Sequence, residues 1–242
     1  MVGESSIPGS PVIRPLVIGH RGAAGHEVEN TRVAFLKGLA LGADGVECDV
    51  RATSDGKLVI FHDESLLRLA GLPERLNRLT LADLQKRVRL GESGEPILTL
   101  EELCSMPEVQ NAWLFIELKE PRLEAEAIRI VQKTRDAQNT VLGSFRPETV
   151  RALTAVNFPL PLLLSETFAM PPAGVQIAGL RHEALDPAKV TGLHRQQLQV
   201  WSWTVNETDD IQRMISCRVD GLITDYPDRA IRELNRLLPL SD

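Results

Sequence analysis

Short apolar runs alternate with longer amphipathic segments along most of the chain, and this alternation predicts strands and helices in turn. The runs that are typical of parallel strands are residues 16–20, 45–51, 113–119, 141–145, 161–165, 175–180, 199–205 and 221–225. Helical patterns lie between them, among them residues 31–41, 122–137, 147–156, 187–197 and 208–219. Eight strand and helix units predict a parallel sheet that closes into a (β/α)8 TIM barrel.

One further apolar run, residues 58–62, does not fit this alternation. It follows the second strand after only residues 53–57, whereas a parallel crossover needs about a dozen residues. The pair Asp55-Gly56 between the two runs is a hairpin turn signal. The pattern therefore predicts an antiparallel return strand, which brings His62 back toward the end of the second strand.

The segment from residue 65 to 105 is long for a connection between two barrel strands. It carries helical patterns at residues 81–89 and from Thr99 onward. We expect it to form a small insertion over the barrel mouth. Residues 1–15, which are rich in Gly, Ser and Pro, are predicted to be disordered or extended, and residues 16–238 to form a single domain.

Composition narrows the class of partner. The 242-residue length suits one barrel, and an apolar content of 43% is enough for its core. The net charge is -6 and no block rich in Lys or Arg occurs, which argues against nucleic acid or an anionic membrane surface as the main partner. An anionic small-molecule substrate would therefore need a local concentration of positive charge.

Cysteine usage and the first residues bear on the compartment. Cys48, Cys104 and Cys217 are odd in number, scattered and without CxxC spacing, so they predict buried thiols and neither a disulfide framework nor a zinc site. The N-terminal segment lacks the apolar stretch of a signal peptide, and no run of 18 apolar residues occurs in the chain. These features predict a cytoplasmic protein without stable membrane anchoring.

Charged residues stand at the carboxyl ends of two predicted strands. Glu47 and Asp49 point to one face of the second strand because side chains alternate, while Cys48 points to the other. Glu117 and Lys119 end the third strand in the same way. Since the site of a TIM barrel lies at these ends, the side chains are expected to share one site.

The types of residue at these ends indicate a chemistry. Three carboxylates without clustered Cys or His ligands suit Mg²⁺ or Ca²⁺ better than zinc. His20 and His62 are candidates for proton transfer, and Arg21 is a candidate for contact with a phosphate. Together these residues predict metal-assisted cleavage of a phosphodiester.

An ordered set of motifs makes the chain similar to the glycerophosphodiester phosphodiesterase family over about residues 16 to 237. The similarity runs through Gly19-His20-Arg21-Gly22, Glu29-Asn30-Thr31, Glu47-Cys48-Asp49, His62-Asp63, Glu117-Leu118-Lys119, Trp203-Thr204-Val205-Asn206 and Thr224-Asp225-Tyr226-Pro227. The resemblance implies a (β/α)8 barrel that hydrolyses glycerophosphodiesters to glycerol 3-phosphate and an alcohol.

The resemblance also implies a role for eight side chains. The acid and base would be His20 and His62, the metal ligands Glu47, Asp49 and Glu117, the phosphate contacts Arg21 and Lys119, and the wall of the glycerol or alcohol pocket Trp203. Trp203 is equally well explained as a core aromatic of the barrel. The choice between Mg²⁺ and Ca²⁺, the role of each histidine, the nucleophile (water or the glycerol 2-hydroxyl) and the oligomeric state stay open.

Other activities are compatible with parts of this pattern. A phospholipase D-type enzyme acting on lysophospholipids would use a similar site but needs an apolar groove, whereas the loops here are polar. A barrel that only binds phosphodiesters would lack a histidine or a carboxylate of the set. A sugar-phosphate isomerase would carry a phosphate-binding glycine loop where Asn206-Glu207 and Tyr226-Pro227 stand. We expect broad use of soluble diesters and no strong preference for choline.

Overall fold

The computed structural model of the protein describes residues 14–92, 94–167 and 171–238. The predicted N-terminal segment, residues 1–15, lies outside the described residues except for its last two. None of the helices in the described ranges combines the length and the apolar character needed to cross a membrane.

Within the described ranges, nine strands form one sheet, and its eight parallel strands close into a barrel. They are β1 (Leu16–Gly19), β2 (Gly45–Ala52), β3 (Leu58–Ile60), β4 (Trp113–Leu118), β5 (Thr140–Ser144), β6 (Pro161–Ser165), β7 (Ile177–Arg181), β8 (Gln199–Trp203) and β9 (Gly221–Thr224). The order β1-β9-β8-β7-β6-β5-β4-β2 is closed by a parallel pairing of β1 with β2. This eight-stranded parallel barrel confirms the predicted fold class.

Helices cover the outside of the barrel and fill the segment after the hairpin. They are α1 (Arg32–Ala40), α2 (Leu67–Ala70), α3 (Leu81–Arg87), α4 (Leu100–Cys104), α5 (Pro107–Gln110), α6 (Glu124–Thr134), α7 (Pro147–Ala155), α8 (Pro187–His194), α9 (Thr208–Cys217) and α10 (Pro227–Leu237). Polar caps fix several starts: the Thr31 hydroxyl accepts from the Ala34 N–H, and Thr99 with Glu102 forms a capping box.

The barrel interior is apolar at the amino ends of the strands. Ile18, Phe115, Leu162 and Trp201 belong to one buried cluster there, and the rings of Phe115 and Trp201 meet edge to face at 6.2 Å. A second set of contacts, between the outer faces of the strands and the helices, includes the buried Cys48. The charged side chains therefore lie at the carboxyl ends of the strands, next to this apolar interior.

The hairpin forms as predicted from the spacing. Strand β3 pairs antiparallel with the end of β2, with Val50 opposite Ile60 and Ala52 opposite Leu58. The segment after it has its own buried cluster, which includes Leu76 and Leu84. Helix α4, in contrast, packs against α6 and so belongs to the outer helical layer.

Three helix ends differ from the sequence prediction for a common reason, and one strand start differs for another. Arg122, Gln197 and Arg218 adopt positive φ angles of 70°, 62° and 62°, which are incompatible with helix. Helix α6 therefore starts later than residue 122, and α8 and α9 end before residues 197 and 219. Strand β7 starts at Ile177 and not at Val175, whose N–H turns back to the Pro172 carbonyl at 3.3 Å.

Candidate active site

Three carboxylates converge inside the mouth of the barrel. Glu47 and Asp49 lie on β2, and Glu117 lies directly opposite Asp49 on β4. One oxygen of each lies within 4.8 Å of the others, and all three residues are buried. The structure thus brings together the three residues that the strand alternation had grouped.

Three buried carboxylates so close together repel one another, and this repulsion changes their pKa values. Burial, followed by the charge of Asp49, raises the pKa of Glu47 to about 8. The same two causes raise the pKa of Glu117. Burial also acts to raise the pKa of Asp49, but the nearby cations Arg21 and Lys119 outweigh it, so the pKa of Asp49 is lowered.

The donor set fits a hard divalent cation. The three residues offer oxygen ligands only, which suits Mg²⁺ or Ca²⁺. The Oδ1 atom of Asp49 is buried without a hydrogen-bond donor, although Lys119 Nζ lies 3.3 Å away. A cation among the three carboxylates would neutralise the excess charge and supply the missing partner of Asp49 Oδ1.

His20 follows β1, and its ring contacts Asp225, which follows the last strand, β9. Its Nδ1 lies 2.7 Å from Asp225 Oδ1, and Asn206 Nδ2 donates to the other oxygen of Asp225 at 2.6 Å. Its Nε2 lies 4.0 Å from Glu47 Oε2. Burial opposes the charged ring, but the hydrogen bond to Asp225 and the charge of Glu47 outweigh it and raise the pKa of His20.

The turn after His20 aims the backbone at the carboxylates. Arg21 has a φ of 52°, and its N–H donates to Glu47 Oε2 at 2.8 Å. Gly22 follows with a φ of 87°, where an added Cβ would lie 2.4 Å from the Ala34 backbone. The turn therefore requires glycine at this position, and a left-handed arginine at a site of this kind is a typical place for stored strain.

A buried asparagine supports the same region from the next loop. Asn30, with a φ of 59°, donates from Nδ2 to Asp49 Oδ2 at 2.8 Å and accepts from the Asp49 N–H at 3.2 Å. The Arg21 guanidinium lies 3.1 Å from the same Asp49 oxygen through Nε and donates to Glu29 through Nη1 at 2.6 Å. Asp49 is thus fixed in orientation by groups on two sides.

His62 comes from the hairpin and has its own acidic partner. Its Nδ1 lies 2.7 Å from Asp63 Oδ1, and Arg68 binds the Asp63 carboxylate with Nε at 2.7 Å and Nη2 at 3.1 Å. Arg68 also binds both oxygens of Glu29 at 2.7 Å. The Arg68 hydrogen bond lowers the pKa of Asp63 to about 2, whereas burial lowers the pKa of His62 despite its acidic neighbours.

A cavity of about 340 Å³ opens above these groups. One side of it is charged and includes both histidines, and Lys119 Nζ lies there 2.6 Å from Glu117. The other side is apolar and is formed by Phe145, Leu164 and Trp203. Trp203 therefore lines the cavity, whereas Trp201 on the same strand is fully buried core.

Sequence reasoning assigned no role to several residues that the structure places at the site. These are the carboxylates and amides behind the histidines and Asp49, with one arginine: Glu29, Asn30, Asp63, Arg68, Asn206 and Asp225. Asp225 follows the last strand, so the strand-end rule that found Glu47 could have found it. Arg68 lies in the short helix α2, away from any strand end, and has no such signal.

Comparison with known proteins gives this geometry a context. The sequence model of the Glycerophosphoryl diester phosphodiesterase family matches residues 20–229. A glycerophosphodiester phosphodiesterase of Caldanaerobacter subterraneus is 31% identical over 239 residues, covering 90% of this chain and 97% of the relative. One from Bacillus altitudinis is 28% identical over 236 residues, covering 89% and 96%.

Solved structures agree on the fold. The glycerophosphodiester phosphodiesterase of Thermotoga maritima superposes with a TM-score of 0.74 at 26% identity and covers 91% of this chain and 98% of its own. An Oleispira antarctica phosphodiesterase, solved in complex with the product sn-glycerol-3-phosphate, has a TM-score of 0.81 at 23% identity, with 91% and 97% coverage. The chain belongs to the glycerophosphoryl diester phosphodiesterase family and is an enzyme of the phosphoric diester hydrolase class.

Proposed function

We propose that the enzyme hydrolyses glycerophosphodiesters to glycerol 3-phosphate and an alcohol, by acid–base catalysis at His20 and His62 with a divalent cation at Glu47, Asp49 and Glu117. The observation that carries the proposal is that both histidines line one cavity with Glu47 and Glu117, and that Asp49 is buried in the same cluster of three carboxylates. The substrate class follows from the names of the relatives, which support the diester hydrolase and give no support to the lysophospholipid alternative.

The two histidines are arranged for proton transfer in opposite directions. Each has a carboxylate on Nδ1, Asp225 for His20 and Asp63 for His62, so each presents Nε2 to the cavity. A carboxylate in that position fixes the ring orientation and the tautomer. One histidine removes the proton of the attacking hydroxyl, and the other donates a proton to the departing alcohol oxygen.

Arg21 and Lys119 are assigned to the phosphate. Both line the cavity, and carboxylates already hold the Arg21 guanidinium and the Lys119 ammonium group, so both groups are preorganised. Burial opposes the charge of Lys119, but Asp49 and Glu117 outweigh it and raise its pKa. A bound divalent cation would supply Lewis-acid polarisation of a phosphoryl oxygen.

The apolar side of the cavity is assigned to the carbon skeleton of the substrate. Trp203 meets Phe145 edge to face at a centroid distance of 5.1 Å, so the two rings pack against each other. We assign Trp203 to the wall of the glycerol or alcohol pocket. We further propose a cytoplasmic location, which the three unpaired buried cysteines support.

A product assay tests the activity directly. Purified enzyme is incubated with glycerophosphocholine, glycerophosphoethanolamine, glycerophosphoglycerol and lysophosphatidylcholine, each with added Mg²⁺ or Ca²⁺, and glycerol 3-phosphate is quantified. We expect release of glycerol 3-phosphate from the three soluble diesters. Cleavage of the lysolipid would give choline and lysophosphatidic acid, so free choline is measured for that substrate, and we expect little of it. Absence of glycerol 3-phosphate from all three soluble diesters with either cation would overturn the proposal.

A further inference from the structure

A second cavity of about 190 Å³ lies next to the main one. It is bounded by the segment after the hairpin on one side and by the ends of β4 and β5 on the other. Lys119 lines both cavities. A group in the second cavity would therefore lie beside the proposed phosphate site, with the Lys119 side chain between the two.

The chemistry of the second cavity is cationic. Its charged lining consists of Arg51, Arg75, Lys119 and Arg146 with the carboxylates Glu64 and Glu120, so four cations face two carboxylates. Two of the arginines are paired within the lining, Arg51 with Glu120 at 2.8 Å and Arg75 with Glu64 at 2.7 Å. The other two cations have acidic partners outside the lining: Lys119 Nζ lies 2.6 Å from Glu117, and Arg146 lies 3.7 Å from the exposed Glu148. The lining itself therefore carries two more positive than negative groups, in a protein whose net charge is -6.

The cations of the main cavity already have a role. Arg21 and Lys119 line it, are held by carboxylates, and are proposed to bind the reacting phosphate. A second anionic group would compete there with the reacting phosphate for the same two cations, whereas the second cavity offers Arg51, Arg75 and Arg146. The two neighbouring cavities thus provide separate cations for a substrate with two anionic groups.

The arginines of the second cavity are positioned by specific contacts. Arg51 shares the inward face of β2 with Glu47 and Asp49, is buried, and donates from Nε to the His62 carbonyl at 2.7 Å. Arg146 donates from Nε to the Lys119 carbonyl at 3.3 Å. These contacts place the cavity beside His62 and Lys119, two residues of the proposed site.

We propose that the second cavity is a subsite for a second anionic group, a phosphate monoester or a carboxylate, on the alcohol portion of the substrate. This inference rests on the proposed function and names its preferred substrate class: diesters whose alcohol carries its own negative charge. Recognition is electrostatic, so it discriminates by charge and weakens as salt screens the cavity.

The test compares two diesters that differ by one phosphate. We expect kcat/KM for glycerophosphoglycerol phosphorylated on its terminal hydroxyl to exceed that for glycerophosphoglycerol by about tenfold at low salt, about 1.4 kcal/mol. The preference should shrink as NaCl is raised. In the Arg75→Gln/Arg146→Gln double variant the ratio of the two kcat/KM values should fall to within about twofold of one.

Arg78→Gln is the matched control, because Arg78 lies in the same segment and does not line the cavity. It should keep the wild-type ratio, and thermal unfolding should show that all variants are folded. Equal kcat/KM for the two diesters, an unchanged ratio in the double variant, or an equal fall in Arg78→Gln would overturn the subsite and leave the proposed function standing. Failure to cleave either diester would overturn both.

Discussion

The two sides of the barrel mouth are built by different means. On the charged side, the ends of β1, β2, β4 and β9 carry ionisable groups that are each held by named partners, such as Asp225 on His20 and Asn30 on Asp49. On the apolar side, Phe145 and Trp203 are positioned by ring contact. Hydrogen bonds to charged groups are directional, whereas ring packing allows small shifts.

This difference separates two tasks on one scaffold. On the charged side, directional hydrogen bonds hold His20 and Asp49 in defined orientations, as chemistry on a phosphate requires. The apolar side fixes only the shape and polarity offered to the substrate. Changes on the charged side should therefore act on kcat, and changes on the apolar side or the second cavity on the choice of substrate.

Removing the cation from the charged side should lower activity more than any other change. Excess EDTA followed by dialysis should abolish release of glycerol 3-phosphate, since the buried carboxylates then repel one another and one phosphate contact is lost. The circular dichroism spectrum should persist, because the barrel core is apolar. Added Mg²⁺ or Ca²⁺ should restore turnover and raise Tm. Full activity in excess EDTA would contradict a catalytic cation.

Removing either histidine comes next. We expect His20→Ala and His62→Ala each to lower kcat by about 10²–10⁴-fold with little change in Tm. The double variant should lose less than the product of the two single losses if the pair acts as a unit. His26→Ala is the control, because His26 pairs with Asp228 away from the cavity. Near wild-type kcat in a single variant would exclude that histidine from the chemistry.

Removing Arg68 should lower kcat less than removing either histidine does. Arg68 binds Asp63, which holds His62, and Glu29, which holds Arg21. We expect Arg68→Ala to lower kcat by roughly tenfold, with partial recovery in millimolar guanidinium, because the planar five-donor group is what bridges the two carboxylates.

Arg87→Ala serves as the control for this variant. Arg87 pairs with Glu74 in the same segment and does not line the main cavity. If Arg68→Ala and Arg87→Ala changed kcat equally, the effect would be one of general stability. An Arg68→Ala enzyme with wild-type kcat would show that His62 and Arg21 do not need the link.

The sequence could predict the fold and the charged side because charges at the ends of apolar strands stand out. It could not predict which residues hold these charged side chains in place, such as Asp225 for His20. Asp225 lies 205 positions from His20, and only the closure of the barrel between β1 and β9 brings them together. Trp201 and Trp203 share a strand face, and their depth in the barrel decides which is core. Which arginine after the hairpin reaches Glu29 depends on where the short helix α2 lies relative to the loop that carries Glu29.

A change in pH behaviour should sharpen the assignment of His62. Asp63 has a pKa of about 2 and is therefore a fixed negative charge wherever His62 titrates. Asp63→Asn removes the charge that favours the protonated ring, so the pKa of His62, already lowered by burial, should fall further. The limb of the pH profile of kcat/KM that His62 controls should move to lower pH.

An NMR titration of the His62 ring measures the same change directly. Asp228→Asn removes the partner of His26 and should leave the His62 titration unchanged. A higher pKa of His62 in Asp63→Asn would mean that the carboxylate does not act on the ring as an anionic hydrogen-bond partner.

The smallest effect expected concerns choline, whose quaternary ammonium is best held by several aromatic faces. Phe145 and Trp203 stand nearly perpendicular, at 87°, and each ring already has a cation near its face: Lys119 Nζ at 5.9 Å from Phe145 and the Arg181 guanidinium at 5.8 Å from Trp203. Two occupied rings do not form a cage for a further cation. Measured kcat/KM for glycerophosphocholine should therefore exceed that for glycerophosphoglycerol by less than about 100-fold, about 2.7 kcal/mol.

Glu166, which lines the same cavity, is the group that would favour a cationic alcohol. Glu166→Gln should reduce whatever preference for choline the wild type has, whereas Glu148→Gln, outside the cavity, should not. A choline preference above 100-fold that survives in Glu166→Gln would mean that the aromatic side binds the ammonium by its ring faces after all. The apolar side would then be as specific in its geometry as the charged side.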